Sequence, residues 1–250
     1  MSSRRQRADQ LLVDRELAPS RTRAQAMIMA GVVFVGQQRV EKPGDALPLD
    51  APLEVRGGAD HPYVSRGGVK LAGALDAFGI DPRGVVAVDV GASTGGFTDV
   101  LLQRGASRVY AVDVGYGQLH DKLRADPRVV VLERTNARGM TPSSLGLEGP
   151  TIDLVVVDAS FIGLEKLMPA MSCVLRSGGA LVALVKPQFQ LRKGEVGKGG
   201  VVREDALRMR ASAEVATAAT ALGLDVRAHA ECVLAGPDGN RERFLYAIKL

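Results

Sequence analysis

The sequence predicts an α/β protein: a mostly parallel, doubly wound sheet of seven strands whose last strand runs antiparallel, preceded by a small α+β module. Three observations carry that prediction. From residue 65 onward, short apolar runs alternate with helical stretches, the pattern of a parallel sheet covered on both faces. The last two apolar runs have only the turn Pro237-Asp238-Gly239-Asn240 between them, a hairpin signal that sets neighbouring strands antiparallel. Before residue 62 the texture differs, and a separate module of about 60 residues reads as helix, turn, helix, strand.

In that module Leu11, Leu12, Val13 and Leu17 make the first apolar stripe, and Pro19-Ser20 interrupts it. Ser20 is placed to cap a second helix striped by Ala24, Met27, Ile28 and Ala30, and Gly31 suits the position after its end. Val32–Val35 and Leu53–Val55 are short strands, Val40 begins a return, and Lys42-Pro43-Gly44-Asp45 is a turn. Gly57 to Pro62 reads as a linker, so the expected division is a module over 1–60, a junction over 61–64 and a larger domain over 65–250. That domain opens with the helix Val69–Phe78, stopped by Gly79. Its expected strands are Val85–Val90, Arg108–Asp113, Val129–Leu132, Ile152–Asp158, Ala180–Lys186, Asp225–Ala230 and Arg243–Lys249. The helices between them are Phe97–Arg104, Leu119–Leu123, Leu164–Leu175 and Glu204–Leu222.

Composition narrows the function. With 46% apolar and 24% charged residues in 250, the chain is globular rather than disordered. No apolar run approaches the roughly 20 residues that span a bilayer. The basic amino terminus lacks the apolar stretch of a secretory signal. Two cysteines make neither a disulfide framework nor a metal-ligand cluster, so a cytoplasmic protein without a metal is expected. The net charge is +4, and residues 1–42 hold all of it, with eight Arg/Lys against four acids. A polyanion is the obvious partner for such an end, beside the plainer reading of a solvated helix surface.

The strongest local signal is Asp89-Val-Gly91-Ala92-Ser93-Thr94-Gly95-Gly96-Phe97, which leaves a buried strand and opens a helix. Glycines there allow a sharp turn and close approach to a ligand. The next strand ends at Asp113, 22 residues after Gly91, where an acid commonly meets ribose hydroxyls. The spacing is not that of a pyrophosphate binder, which favours an adenosyl ligand other than NAD. Gly91-Ala-Ser93-Thr-Gly95 also matches the nucleophile elbow of hydrolases, with Asp158 and His229 following in order. That reading is set aside, because the elbow would follow the first strand of the sheet and no oxyanion loop precedes it. In a doubly wound sheet ligands sit outside the carboxyl ends of the strands. Asp158 and Lys186 end two apolar runs and therefore share a rim with Gly91 and Asp113. A lysine ending a buried strand is costly without a partner or a role. Phe161 either packs or stacks on a flat ring. The Gly/Lys-rich segment from Gln188 to Gly200 reads as a mobile loop suited to phosphate.

Together these residues resemble the TlyA family, whose members carry both hemolysin and ribosomal RNA methyltransferase names. The motifs are Tyr63-Val-Ser-Arg-Gly-Gly-Val-Lys70, Asp89–Thr98, Val112-Asp-Val-Gly-Tyr-Gly-Gln118, Glu133-Arg-Thr-Asn-Ala-Arg138, Asp158-Ala-Ser-Phe-Ile162, Leu184-Val-Lys-Pro-Gln-Phe189 and Gly236–Asn240. The first module resembles an S4 RNA-binding domain through Arg7–Leu11, Ser20-Arg21, Ala24, Ile28, Gly31 and Val40–Gly44. It departs at Val35-Gly36-Gln37, where the S4 turn usually reads Val-Asn-Gly or Val-Asp-Gly.

The resemblance implies a Rossmann-like, FtsJ-type methyltransferase that uses S-adenosylmethionine (AdoMet) and methylates the 2′-hydroxyl of cytidine in ribosomal RNA, acting on ribosomal subunits as a monomer. It implies a tetrad of Lys70, Asp158, Lys186 and Glu242, with Lys186 the candidate base once Lys70 and desolvation lower its proton affinity. AdoMet would lie on the Gly91–Phe97 turn, with Asp113 at its ribose and Asn136 and Phe161 near its adenine. RNA would be held by Arg7, Arg21 and Lys42 of the small module and by Arg66, Arg134, Arg138 and Lys193 around the mouth. Two other readings stand beside it. One is a membrane-active hemolysin, disfavoured by the lack of a spanning segment. The other is an RNA-binding protein with an inactive methyltransferase domain, disfavoured by the complete tetrad.

Overall fold

The computed structural model describes residues 4–56, 61–236 and 239–250, so part of the Gly57–Pro62 linker and part of the Pro237–Asn240 turn lie outside the described residues. The amino-terminal module runs β1 (Arg5–Arg7), α1 (Ala8–Asp14), α2 (Arg21–Ala30), β2 (Val33–Val35), β3 (Gln38–Arg39), β4 (Ala46–Pro48) and β5 (Leu53–Val55). Leu11, Leu12, Ala24, Ile28, Val33, Val40 and Leu53 form its core. As expected, Ser20 caps α2 by accepting from the Arg23 amide, and Gly31 ends it at φ 78°. The first helix is shorter than its apolar stripe predicts. Glu16 adopts φ 58° and the chain turns back, so Leu17 is partly exposed rather than packed. The β2–β3 hairpin forms with Gly36 at φ 57°, so the left-handed residue occupies the first turn position. The pairing of β1 with β4 is a further addition to the expected elements.

The larger unit comprises α3 (Gly67–Phe78), β6 (Val86–Val90), α4 (Gly96–Gln103), β7 (Arg108–Val112), α5 (Asp121–Arg124), β8 (Val129–Leu132), β9 (Ile152–Val157), α6 (Met168–Val174), β10 (Leu175–Val185), α7 (Pro187–Gln190), α8 (Asp205–Ala221), β11 (Leu224–Glu231) and β12 (Arg243–Lys249). Its seven strands are ordered β11-β12-β10-β9-β6-β7-β8. All neighbouring pairs are parallel except those of β12, which is antiparallel to both β10 and β11.

Side chains alternate between the two covered faces, as the period of a strand requires. On β9, Val155 and Val157 join one apolar layer while Leu154 and Val156 join the other. The stretch expected as one helix over Leu164–Leu175 is a single 3₁₀ turn followed by α6, which carries Pro169 in its first turn. Among the described residues no helix is long and apolar enough to cross a membrane.

Candidate active site

Strand direction decides which residues meet. The parallel strands β6, β7, β9 and β10 all end on one rim, which places Gly91, Asp113, Asp158 and Lys186 there. Because β12 runs the other way, its beginning lies on that rim, with Arg243 in register with Val185. Glu242, one residue earlier, is thereby delivered beside Lys186. Lys70 comes from the second turn of α3, which packs on α4.

The four residues form two short ion pairs. Lys70 Nζ donates to Glu242 Oε2 at 2.5 Å, and Lys186 Nζ lies 2.5 Å from Asp158 Oδ1. Lys186 also donates to Ser160 Oγ at 2.8 Å. Lys70, Lys186 and Glu242 are all buried. Burial works against the Lys70 charge, but the Asp158 and Glu242 carboxylates outweigh it and raise its pKa above the ordinary lysine value. The same rivalry holds Asp158 below the usual carboxylate range: burial opposes ionisation, and Lys186 and Lys70 prevail. The arrangement is thus a nearly dry cluster of two cations and two anions, in which electrostatic interactions are stronger than in water.

Next to it lies a cleft lined by Ala92, Ser93, Ala111, Asp113, Gly115, Gln118, Leu119, Val131 and Glu133. Gly91 makes the turn possible at φ 83°, and a Cβ there would lie 2.7 Å from the Asp158 carbonyl oxygen. Ser93 takes φ 48°, and its amide donates to Asp113 Oδ2 at 2.8 Å. The Gly115 amide donates to Asp113 Oδ1 at 2.7 Å. Each oxygen keeps a lone pair for a ligand hydroxyl. The apolar walls Ala111, Leu119 and Val131 beside the Asp113 carboxylate give the lining the two kinds of group an adenosyl ligand needs, a packing surface for a flat ring and an acceptor for hydroxyls.

The remaining turn residues are placed differently. Thr94, Gly96 and Phe97 are buried, and Phe97 packs on Phe244. Gly95 adopts φ 93° against Leu119 and Leu123, and Gly96 lets the start of α3 lie close to α4. Asn136 is exposed and caps a 3₁₀ turn by accepting from the Arg138 amide. Phe161 is 91% exposed at φ 67°, with its ring centroid 5.3 Å from that of Phe189.

The expected RNA-contacting residues divide into tethered and outward-facing groups. Arg7 and Arg21 both reach Asp9 Oδ2, which also accepts from Gln25. Asp9 is fully buried, yet these partners overcome the desolvation that opposes its charge and hold its pKa at about 2. Arg7 also lies against Gly44, next to the turn that carries exposed Lys42. Arg66 pairs with Glu41 across the two modules at 2.9 Å. Arg134 covers the Tyr116 ring at 4.2 Å. Arg138 and Lys193 are exposed.

Sequence reasoning missed several supporting residues. Asp9 and Ser160 lie inside recognised motifs, but their spacing does not reveal their partners. Asn240 is fully buried; it accepts from the Val202 amide and donates to the Gly200 carbonyl. It thereby ties the segment after Lys186 to the turn that presents Glu242, so a segment read as a mobile loop is anchored at its far end.

Comparison with known proteins follows this geometry. The FtsJ-like methyltransferase family model matches residues 63–249 and the S4 domain model matches residues 6–50. The chain belongs to the FtsJ-like methyltransferase family. It is 49% identical to the 16S/23S rRNA (cytidine-2′-O)-methyltransferase TlyA of Mycobacterium tuberculosis, over 98% of this chain and 90% of that protein. A solved structure from Streptococcus thermophilus that bears a hemolysin name is 38% identical, covers 99% of this chain and 90% of its own, and superposes with a TM-score of 0.75. A solved structure from Listeria monocytogenes that bears an S-adenosylmethionine-dependent methyltransferase name is only 15% identical and covers 72% of this chain and all of its own. Its TM-score of 0.53 marks a shared fold.

Proposed function

We propose that the chain methylates the ribose 2′-hydroxyl of a cytidine in ribosomal RNA, with AdoMet as the donor. The observation that carries this reading is the pair of buried lysine–carboxylate contacts on the same rim of the sheet as Asp113 and its cleft. AdoMet, when bound, supplies an electrophilic methyl group on a sulfonium. The cleft residues Ala92, Ser93 and Asp113 would hold it, with Asp113 accepting from its ribose.

A 2′-hydroxyl is a poor nucleophile and must lose its proton as its oxygen forms the new bond. Lys186, a cation in the resting cluster, first releases a proton to solvent, and the resulting amine accepts the proton of the hydroxyl. Asp158 and Ser160 aim the Lys186 amine and stabilise the ammonium that results. Lys70, kept charged by Asp158 and Glu242, sets a fixed positive charge near the developing alkoxide. Alignment of hydroxyl and methyl supplies much of the remaining rate. Arg7, Arg21, Lys42, Arg66, Arg134, Arg138 and Lys193 position the RNA through its phosphates without reading sequence, and the target nucleotide leaves its stack to reach the mouth. The same reading divides the chain into a docking module over 1–60, a junction over 61–64 and a catalytic domain over 65–250, supported by the separate apolar cores of the two units. It places the enzyme in the cytoplasm, where ribosomes are, as a monomer.

The test is methyl transfer from radiolabelled AdoMet to small and large ribosomal subunits from cells lacking this protein, with the modified nucleotide mapped by mass spectrometry. Wild-type protein is expected to produce 2′-O-methylcytidine and Lys186→Ala none. Robust methylation by that variant overturns the role of Lys186, and no transfer by the wild type overturns the function.

A further inference from the structure

Tyr116 is an aromatic residue that the core does not use. Its side chain is 63% exposed, yet the loop that carries it is firmly held. The Gly115 amide donates to Asp113 Oδ1 at 2.7 Å and the Gly117 amide to Glu133 Oε1 at 2.9 Å, so both neighbours of Tyr116 are pinned. The Arg134 amide donates to the Gly115 carbonyl at 3.0 Å. Arg134 takes φ 55°, a conformation that costs free energy in a side-chain-bearing residue and collects at functional sites. Its guanidinium lies 4.2 Å from the centroid of the Tyr116 ring. An exposed ring is therefore fixed in place with a cation against it.

The position of this pair points to its ligand. Gly115, Gln118 and Glu133 line the cofactor cleft, whereas Tyr116 and Arg134 do not. The loop that carries the ring approaches the S4 module at the very next residue. A Cβ on Gly117 would lie 3.9 Å from Thr22 Cγ2, and Ser93 Oγ is 3.9 Å from Met29 Sδ. Helix α2, whose Thr22 makes the contact with Gly117, carries Arg23 at the following position. Aromatic rings backed by arginine and flanked by further cations are how proteins hold unpaired nucleotides, because every base has a π face.

We propose that Tyr116, backed by Arg134, is a stacking platform for an unpaired nucleobase of the RNA substrate on the path from the S4 module to the catalytic mouth. The inference rests on the RNA-methylating reading above and adds a base-stacking site to it. Arg134 contributes both to the stack and to the neighbouring phosphate. Tyr116 contributes no charge, so its effect is separable from the phosphate contacts.

The chain contains no tryptophan, so Tyr116→Trp places the one tryptophan of the chain at the site, where it can be excited selectively. Its emission should be quenched by ribosomal subunits from cells lacking this protein and left unchanged by AdoMet alone. Tyr116→Ala should weaken subunit binding about 5- to 100-fold, the cost of one base stack. Tyr116→Phe should bind as the wild type does. The salt dependence should keep its slope in the alanine variant, because no phosphate contact is removed, and AdoMet affinity measured by calorimetry should not change. Wild-type subunit affinity in Tyr116→Ala overturns the proposal, as does quenching by AdoMet alone, which would place the ring over the cofactor. Either result leaves the methyltransferase function standing if the wild type still methylates subunits. Failure of the wild type to methylate either subunit overturns that function instead.

Discussion

Lys70 Nζ lies 2.5 Å from Glu242 Oε2, across 172 residues of chain, and both side chains are shut away from water. A buried pair of this kind is weak evidence for stability, because desolvating two charges offsets most of their attraction. Removing one partner is a different matter, since it strands the other. Glu242→Ala should therefore cost about 3–5 kcal/mol, and Lys70→Ala a similar amount. The double variant Lys70→Met/Glu242→Leu should recover most of that loss while remaining unable to transfer methyl groups. Denaturant unfolding of the two single variants and the double variant measures the coupling. A double variant as unstable as either single one would show that the pair contributes net stability.

Gly91 carries a different kind of constraint. Its φ of 83° is one that L side chains rarely adopt, and an added Cβ would press on backbone atoms of Asp158 and Ala159. Gly91→Ala should cost about 1–3 kcal/mol in backbone strain. Because those atoms carry a tetrad carboxylate, methyl transfer should fall about 100-fold, as expected for a displacement near 1 Å. Gly36→Ala is the control: its φ is also positive, but nothing lies within 4 Å of its Cβ. It should lose stability without loss of transfer by the catalytic domain. Equal activity losses in the two variants would mean that strain alone, not the Asp158 contact, governs the effect.

The sheet was legible because its strands are buried on both faces and end in residues that do not belong in a core, such as Asp158 and Lys186. Lys70 and Glu242 enter the tetrad only through the family resemblance; the structure supplies the reason for Glu242, since β12 runs antiparallel to β10 and begins on the rim where Asp158 and Lys186 lie. Other features lacked a local signal. Strands β1 and β4 are three residues each, rich in arginine in one case and ending in proline in the other, and only tertiary contact reveals their pairing. Leu17 extends an apolar stripe, but the helix stops before it because Glu16 turns left-handed. The resemblance puts Arg66 at the mouth as an RNA contact, and nothing in the sequence announces its ion pair with Glu41 of the other module. Ion-pair partners far apart in sequence leave no periodicity to read.

Asp9 gives the S4 module a pH signature. Its folded pKa of about 2 lies below the ordinary value of 3.8. Its contribution is therefore fully present above pH 3.8 and is lost as the pH falls through about 2. It amounts to about 2 kcal/mol, since one pKa unit is about 1.4 kcal/mol. Asp9→Asn should remove that dependence, loosen Arg7 and Arg21, and weaken RNA binding. Hydrogen exchange of the α1 and α2 amides in the full chain at pH 5 and pH 2.5 reads the effect. Protection that falls equally in wild type and Asp9→Asn would show that the aspartate does not organise the module.

Asp89 should act in the opposite sense. It is fully buried beneath the glycine turn, where Oδ2 accepts from the Thr98 amide and hydroxyl and Oδ1 has no hydrogen-bond partner. Burial raises its pKa to about 7, with Asp158 and Asp113 adding to the rise and the Thr98 hydrogen bonds opposing it. A carboxyl whose folded pKa lies above its unfolded value binds the extra proton in the native state. Stability from this site is thus complete below about pH 4 and is lost as the pH rises to about 7, by on the order of 4 kcal/mol. Asp89→Asn can keep the Thr98 contacts through its carbonyl oxygen and cannot ionise. The stability difference between variant and wild type should then shift in favour of the variant between pH 5 and pH 8, as read from urea midpoints. A difference that stays constant over that range would show that Asp89 is ionised throughout and that its charge is satisfied by groups other than Thr98.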